Sequence, residues 1–344
     1  MNKWYEENLS NNDIVISSRV SLLRNLMDYP FPMKLEPDRA AEMIDKVKDG
    51  FFKDRQMDFY TFKDLEHTDK CQLRYLIDSY LVSRRIKQYP RSKALICSKD
   101  EADSIRINDK DHINIVALAK GKQLDKAYES ANRLDDLLNE RLPYAYSHKY
   151  GYLTTSPANM GTGMRASYFL HLPFLESTGA TKALSEELNK FGYVLRGVYG
   201  EENDIHGSIY QIYNQRTLGM SEDELMTSLN KITHQVVEQE MHLRSTEIKK
   251  NRDAYEDSIY KAYGILKYAR SLTLKEAMDY LSNIRIGLCE HMIELDADKD
   301  FDIYRLMMAS GSAMLDYKAG TVLSAAQRNH QRAGLIRASL PDLK

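Results

Sequence analysis

Ser104-Ile105-Arg106-Ile107-Asn108-Asp109-Lys110-Asp111-His112-Ile113-Asn114-Ile115-Val116 places isoleucines in alternation with polar residues on both sides of a polar run. That period of two is the mark of half-buried strands, and the run from Asn108 to Asp111 reads as the hairpin turn between them. Just upstream, Ala94 to Cys97 reads as another short strand. Farther back, Pro37 stands where a first helical residue would, and Ala40, Ile44, Val47 and Phe51 recur at helical spacing, which predicts a helix over about 38 to 53. A second helical stretch is expected over about 68 to 86. Downstream, Ala127, Ala131, Leu134 and Leu138 mark a helix and Gly151 to Thr154 a strand. Regular structure follows over Met164 to Leu172, and Phe191 to Arg196 with Ser208 to Tyr213 form another strand pair.

Beyond residue 220 the pattern changes. Ser221 and Glu224 form a capping box ahead of Leu225, Leu229, Ile232 and Val236, so a long helix is predicted over about 222 to 246. A second capping box, Thr273 with Glu276, lies in a tail whose spacing is helical throughout. Strands mixed with helices, followed by helices alone, predict an α+β domain and then an α domain. The charged stretch Glu247 to Asp253 marks the boundary, giving expected domains of 1–250 and 251–344.

Composition sets outer limits. The 344 residues, 43% hydrophobic and 28% charged, form a chain long enough to bury a sizeable core without covalent staples. No apolar run reaches the roughly 18 residues of a membrane span, and nothing in Met1 to Ser10 reads as a signal peptide, so the expected compartment is the cytoplasm, with no membrane partner. A formal charge of -2 gives no global pull on nucleic acid, and no direct nucleic-acid partner is expected. Cys71, Cys97 and Cys289 are too far apart for a disulfide framework or a metal pair and read as buried thiols. His234 and His242 lie eight apart with no H-E-x-x-H, so no metal site is expected.

Two features carry possible chemistry. Ser156-Pro157-Ala158-Asn159-Met160-Gly161-Thr162-Gly163-Met164-Arg165 is a small-residue turn beside an arginine, able to bring backbone N–H groups near an anion. Its Gly161-x-Gly163-x-x-Ala166 spacing also imitates a dinucleotide fingerprint, though no parallel βαβ pattern surrounds it, and a plain structural turn is the default. Arg19, Arg165 and Arg196 lie near strand or turn signals, where a guanidinium fork suits a phosphate; solvated surface is the ordinary alternative. Neither a Walker A sequence nor H-R-D and D-F-G motifs are present.

Several segments in order resemble the ATP:guanidino phosphotransferases, the phosphagen kinase family, and most closely its protein-arginine kinase branch. They are Ser17-Ser18-Arg19-Val20 with Leu22, Arg24, Asn25 and Phe31-Pro32; Ile107-Asn108 to Asp111-His112-Ile113; and Gly151-Tyr152-Leu153-Thr154 with Asn159, Gly161-Thr162-Gly163 and Arg165. Next come Arg196-Gly197-Val198-Tyr199-Gly200-Glu201 and Tyr210-Gln211, then Asn214-Gln215 with Thr217-Leu218-Gly219. The resemblance spans nearly the whole chain. It implies an antiparallel sheet flanked by helices in the glutamine-synthetase-like arrangement and a C-terminal helical domain that mediates dimerisation. It implies ATP with Mg as cofactor, arginine side chains of proteins as acceptors and a link to Clp protease degradation.

Carried over by position, the resemblance makes Arg19, Arg165 and Arg196 phosphate-clamping arginines, and Glu201 one of two carboxylates facing the guanidinium. It sets Asp111 and His112 in the family's N-E-E-D-H turn, beside the reacting groups and the nucleotide. The other half departs from the pattern. Ser21 and Asn114 replace two further phosphate-binding arginines, Lys110 replaces the second glutamate, which acts as base, and Ser156 replaces the reactive cysteine. A shift of base to Asp109 or Asp111 is the alternative in which activity survives. Near the C-terminus, Arg328-Asn329-His330-Gln331-Arg332-Ala333 resembles the branch's R-D-x-x-R-A phosphoarginine sensor, with Asn329 in place of aspartate; an ordinary amphipathic end helix is the other reading. Two functions follow as expectations: a protein-arginine kinase, or a pseudokinase that binds phosphoarginine clients and forms a homodimer or a hetero-oligomer with an active homologue.

Overall fold

The computed structural model describes residues 3–6, 14–53, 58–83, 86, 92–201, 204–296 and 301–344. Its main sheet has eight strands: β1 (Val15–Arg24), β2 (Tyr60–Asp64), β3 (Ala94–Ser98), β4 (Asp103–Ile107), β5 (Ile113–Lys120), β8 (Met164–His171), β9 (Tyr193–Gly197) and β12 (Ile209–Asn214). They lie in the order β2-β3-β4-β5-β1-β8-β12-β9. The short strands β6 (Tyr146–Ser147) and β7 (Gly151–Tyr152) pair together, as do β10 (Gly200–Glu201) and β11 (Asp204–Ile205). The antiparallel hairpin read from the isoleucines is β4–β5, with Ile105 opposite Ile115 and Ile107 opposite Ile113. Two compact units divide the chain, residues 1–7, 17–168 and 213–230 in the first and 8–16, 169–212 and 231–344 in the second.

In the first unit, α1 (Pro37–Phe52), α2 (Lys70–Asp78) and α3 (Leu124–Asn139) flank the sheet. Ala127, Ala131, Leu134 and Leu138 of α3 are all buried. Arg24 at the end of β1 reaches Asp135 of α3, so α3 covers the face of β1 that carries Val20, Leu22 and Arg24. Alternation then assigns Arg19, Ser21 and Leu23 to the opposite face, with Asn114, Val116 and Leu118 of β5 beside them.

The stretch expected as helix over 68–86 is shorter: α2 ends at Asp78. Tyr80 takes φ +60, its N–H bonds Ile77 O at 3.1 Å and Leu81 N bonds Leu76 O at 2.9 Å, which is a Schellman stop. Tyrosine rather than glycine holds the left-handed position, so the sequence carries no stop signal there.

The second unit contains α4 (Pro173–Ser177), α5 (Ala180–Lys190), α7 (Leu274–Cys289), α8 (Ile303–Ala309), α9 (Ser312–Ala319) and α10 (Ala325–Ser339). Helix α6 (Glu222–Tyr268) begins in the first unit and ends in the second, with a non-helical residue at Asn251. Both capping boxes read from sequence form: Ser221 with Glu224, and Thr273 with Glu276. A third, Ser324 with Gln327, starts α10. Leu266, Leu281, Ile284, Ala333 and Ile336 are part of the core here.

Candidate active site

On the face of β1 and β5 opposite α3 the two replaced positions meet. The Ser21 hydroxyl donates to Asn114 Oδ1 at 2.6 Å, and both residues are buried. Arg19 lies two residues back on the same face, half-buried. Across β5, Arg106 of β4 stands opposite Asn114. Its Nε donates to Leu81 O at 3.0 Å and its Nη2 to Tyr80 O, so this arginine fastens the end of α2 to the sheet. Burial pushes its pKa down to about 10.

The hairpin turn is tied down on both sides. Asp109 Oδ1 accepts from the Ser83 hydroxyl at 2.8 Å and lies 3.3 Å from Lys93 Nζ. Asp111 is fully enclosed, and its Oδ1 accepts from Asn25 Nδ2 at 2.8 Å and from Thr155 N at 2.6 Å, while Oδ2 accepts no hydrogen bond from the described residues. His112 Nδ1 accepts from Leu26 N at 3.0 Å, so Nε2 carries the proton given to Pro30 O at 2.9 Å. Burial lowers the His112 pKa and keeps the ring neutral. Asp111 and His112 thus fix the end of β1 and the loop 153–156 around the turn. Lys110 is half-buried at the turn itself.

The turn before Arg165 also has a definite internal logic. Ser156 precedes a single 3-10 turn, Pro157–Asn159, and the Thr154 hydroxyl donates to Ser156 O at 2.8 Å. Asn159, buried, accepts from Arg165 Nε at 2.9 Å, and the Arg165 guanidinium carbon lies 5.6 Å from the Tyr213 ring centre. These two contacts help hold the Arg165 guanidinium in place. Gly161 has φ +98, and a Cβ there would come 2.6 Å from Thr217 O. The glycines therefore serve close backbone approach, and because they lead into strand β8 rather than a helix, the dinucleotide alternative lacks its required context. Arg24 completes the frame: it makes a bidentate pair with Asp135 (2.6 Å at the shortest), donates to Thr162 O and stacks 3.5 Å above the Tyr152 ring. Asp135 interrupts an otherwise apolar helix face, a signal in the sequence from which a buried partner could have been sought.

In the second unit, Arg196 lies exposed on β9 and its Nη2 donates to Gln211 Oε1 at 3.1 Å. Glu201 is on β10, and its side chain lies outside the described residues. The C-terminal pair divides sharply. Arg332 is buried, with Nε on Ser310 O, Nη1 on Leu272 O and Asn329 Oδ1, and Nη2 on the Ser312 hydroxyl. Arg328 instead lies 3.2 Å from buried Asp316 of α9, a carboxylate that sequence reading did not connect to the motif. Asn329 spends its oxygen on Arg332.

A family profile for the ATP:guanido phosphotransferase C-terminal catalytic domain matches residues 40–243, and one for the protein-arginine kinase McsB C-terminal domain matches residues 252–344. The protein-arginine kinase of Clostridium acetobutylicum is 36% identical over 343 residues, covering 99% of this chain and 100% of the relative.

The chain belongs to the protein-arginine kinase branch of the ATP:guanidino phosphotransferases.

The protein-arginine kinase of Symbiobacterium thermophilum is 38% identical, covering 98% of this chain and 96% of that one. Among solved structures, the duplicated taurocyamine kinase of Schistosoma mansoni with bound transition state analog components matches with a TM-score of 0.59 at 25% identity over 69% of this chain; the chain spans 35% of that kinase. Lombricine kinase matches at a TM-score of 0.59 and 19% identity, over 71% of this chain and 72% of its own, a likeness of fold. The antiparallel sheet with flanking helices expected from the resemblance is therefore the phosphagen kinase fold, and the helical tail is that of the protein-arginine kinase branch. No helix among the described residues is long and apolar enough to cross a membrane.

Proposed function

We propose that this chain is a McsB-like regulator whose own transfer of phosphate from ATP to protein arginine is weak or absent. The observation that carries this reading is the Ser21–Asn114 hydrogen bond. Two neutral side chains satisfy each other where the family resemblance calls for two cations on the nucleotide. Each missing preorganised donor costs about 10²- to 10³-fold in rate, and non-additivity leaves the sum large. The residues fit Mg·ATP only in part: Arg19, Arg165 and Arg196 offer charge, while Ser21 and Asn114 offer none. Lys110 sets a cation where a base belongs, at a cost of about 1–4 kcal/mol against a guanidinium at ~4 Å. Of the alternative bases, Asp109 is committed to Ser83 and Lys93, and Asp111 holds Asn25 and Thr155 through Oδ1 alone.

In this reading residues 1–250 form the phosphotransferase-type domain and 251–344 a helical domain for dimerisation and phosphoarginine recognition through Arg328, Asn329 and Arg332. The chain acts in the cytoplasm as a homodimer or paired with an active homologue, presenting arginine-phosphorylated clients to a Clp protease. Arg328 with Asp316 is the part of that tail best suited to an incoming guanidino-phosphate, since Asp316 supplies a carboxylate where Asn329 does not.

The test is incubation of the purified chain with Mg·ATP and an arginine-rich unfolded protein, with phosphoarginine read by mass spectrometry under non-acidic conditions beside an active relative. We expect no product. Product that disappears in Glu201→Ala would establish an active kinase with a rearranged base instead, the reading that Asp111 Oδ2, without a hydrogen bond, leaves standing.

A further inference from the structure

The second unit holds a cleft of about 270 Å³ that no part of the proposed reaction uses. It lies between α4, the turn ahead of β12, Tyr255 of α6 and the face of α7 that carries Lys275, Asp279 and Asn283. One wall is aromatic: the Phe174 and Tyr255 rings lie 5.4 Å apart and tilted by 45°. Its charged groups are two carboxylates, Glu176 and Asp279, and one ammonium, Lys275. Asp279 Oδ1 accepts from Gly207 N at 2.8 Å, which pins the turn, and its Oδ2 lies 3.6 Å from Lys275 Nζ at the solvent edge. Glu176 is different. Its Oε2 is buried and accepts no hydrogen bond from the described residues. The Ser208 and Tyr210 hydroxyls serve the carboxylate, but Oε2 itself is left without a donor, and a charged donor reaching that oxygen is favourable.

We propose that this cleft binds a compact organic cation, a guanidinium or primary ammonium head on a short carbon stem. The head donates to Glu176 Oε2, and the carbon stem packs on the apolar Phe174–Tyr255 wall, whose Phe174 ring also has the Arg244 guanidinium 5.8 Å from its centre. Two carboxylates against one ammonium reject an anion. A metal ion is the poorer fit, because no group of three or more acidic, histidine or cysteine ligands occurs among the described residues. The volume lies just below the usual range for ligand clefts and suits a small molecule or one side chain. Burial holds the Glu176 carboxyl above its ordinary pKa despite the Ser208 and Tyr210 hydroxyls, and a bound cation reverses that effect. None of this rests on the phosphate clamp, so the cleft stands or falls apart from the kinase reading.

The test is an NMR titration of the full chain with methylguanidinium at matched ionic strength, following the Phe174 and Tyr255 ring resonances. Saturable shifts are expected. Glu176→Gln should weaken binding by about tenfold or more, as loss of a charge-assisted hydrogen bond does. Lys275→Ala should strengthen it by roughly threefold, by removing a partly exposed like charge. Shifts that do not saturate, or an unchanged affinity in a folded Glu176→Gln variant, overturn the proposal. Should that variant fail to fold, Lys275→Ala decides alone, and weaker binding overturns it. A parallel titration with a blocked arginine peptide separates the sources: binding of both probes assigns a polypeptide side chain, and binding of methylguanidinium alone assigns a free small cation.

Discussion

Ser21 Oγ lies 2.6 Å from Asn114 Oδ1, and the two residues are 93 apart in the chain. Together they convert what family resemblance predicts as a cationic floor into a neutral, self-satisfied one. Putting both charges back is the direct test. The double variant Ser21→Arg with Asn114→Arg should bind Mg·ATP about tenfold or more tightly, since each charge-assisted hydrogen bond is worth about 1.5–3 kcal/mol. Titration with a fluorescent ATP analogue reads this, and an affinity equal to the parent would mean that the floor is not where phosphates lie.

The Arg24–Asp135 pair is buried on both sides, with side-chain exposures of 2% and 6%. Asp135→Ala strands a guanidinium in the interior and should lower the unfolding free energy by about 3–5 kcal/mol. Urea denaturation measures it, and a loss below ~1 kcal/mol would show that the existing bonds from Arg24 to Leu23 O and Thr162 O suffice to hold the guanidinium.

Two glycines with left-handed φ separate steric from conformational cost. A Cβ added at Gly161 (φ +98) would meet Thr217 O at 2.6 Å, whereas one added at Gly179 (φ +74) would have nothing within 4 Å. Both alanine variants lose about 1 kcal/mol to backbone strain. Gly161→Ala should lose clearly more and displace Arg165 with the loop. Equal melting temperatures for the two variants would contradict this account.

His171 is wholly buried against the Ser282 hydroxyl at 2.7 Å, and burial, with help from Arg285 and Arg244, holds its pKa well below 6.5. A group whose folded pKa is depressed contributes stability that is fully present above its unfolded value and is lost as pH falls toward the folded one. The unfolding free energy should therefore decline below about pH 6.5, with His112 adding a smaller share in the same direction. His171→Gln should flatten that slope in urea titrations between pH 7.5 and 5. An unchanged slope would assign the acid sensitivity elsewhere.

All three cysteines, Cys71, Cys97 and Cys289, are buried. Burial raises the Cys289 thiol and pushes Cys97 up to about 12. With Ser156 at the position of the family's thiol, the native chain should resist a disulfide-exchange reagent and release all three thiols only in denaturant. Rapid labelling of one cysteine under native conditions would run against this packing.

What the sequence disclosed follows from how local each signal is. The β4–β5 hairpin was legible because Ile105, Ile107, Ile113 and Ile115 write a strand pair into a dozen consecutive residues. The capping boxes at Ser221 and Thr273 were legible for the same reason. The stop of α2 was not, because Tyr80 occupies the left-handed position that glycine usually announces. Long-range pairs left even less trace. Nothing in the vicinity of Ser21 names Asn114, and nothing near Arg328 names Asp316 twelve residues before it. Resemblance located the candidate residues, but only the register between β1 and β5 made two substitutions into one change.

Arg332 holds four acceptors from three separate segments, at Leu272, at Ser310 with Ser312, and at Asn329. It is thus a keystone of the tail whatever the tail binds. Over evolutionary time the two arginines of this motif answer to different pressures. A lineage that abandoned phosphorylated clients would keep an arginine at 332, and Asp316, which also accepts from Leu323 N, under selection for folding alone, while position 328 drifted. Among descendants of this chain, the informative trait is therefore the persistence of an arginine at 328.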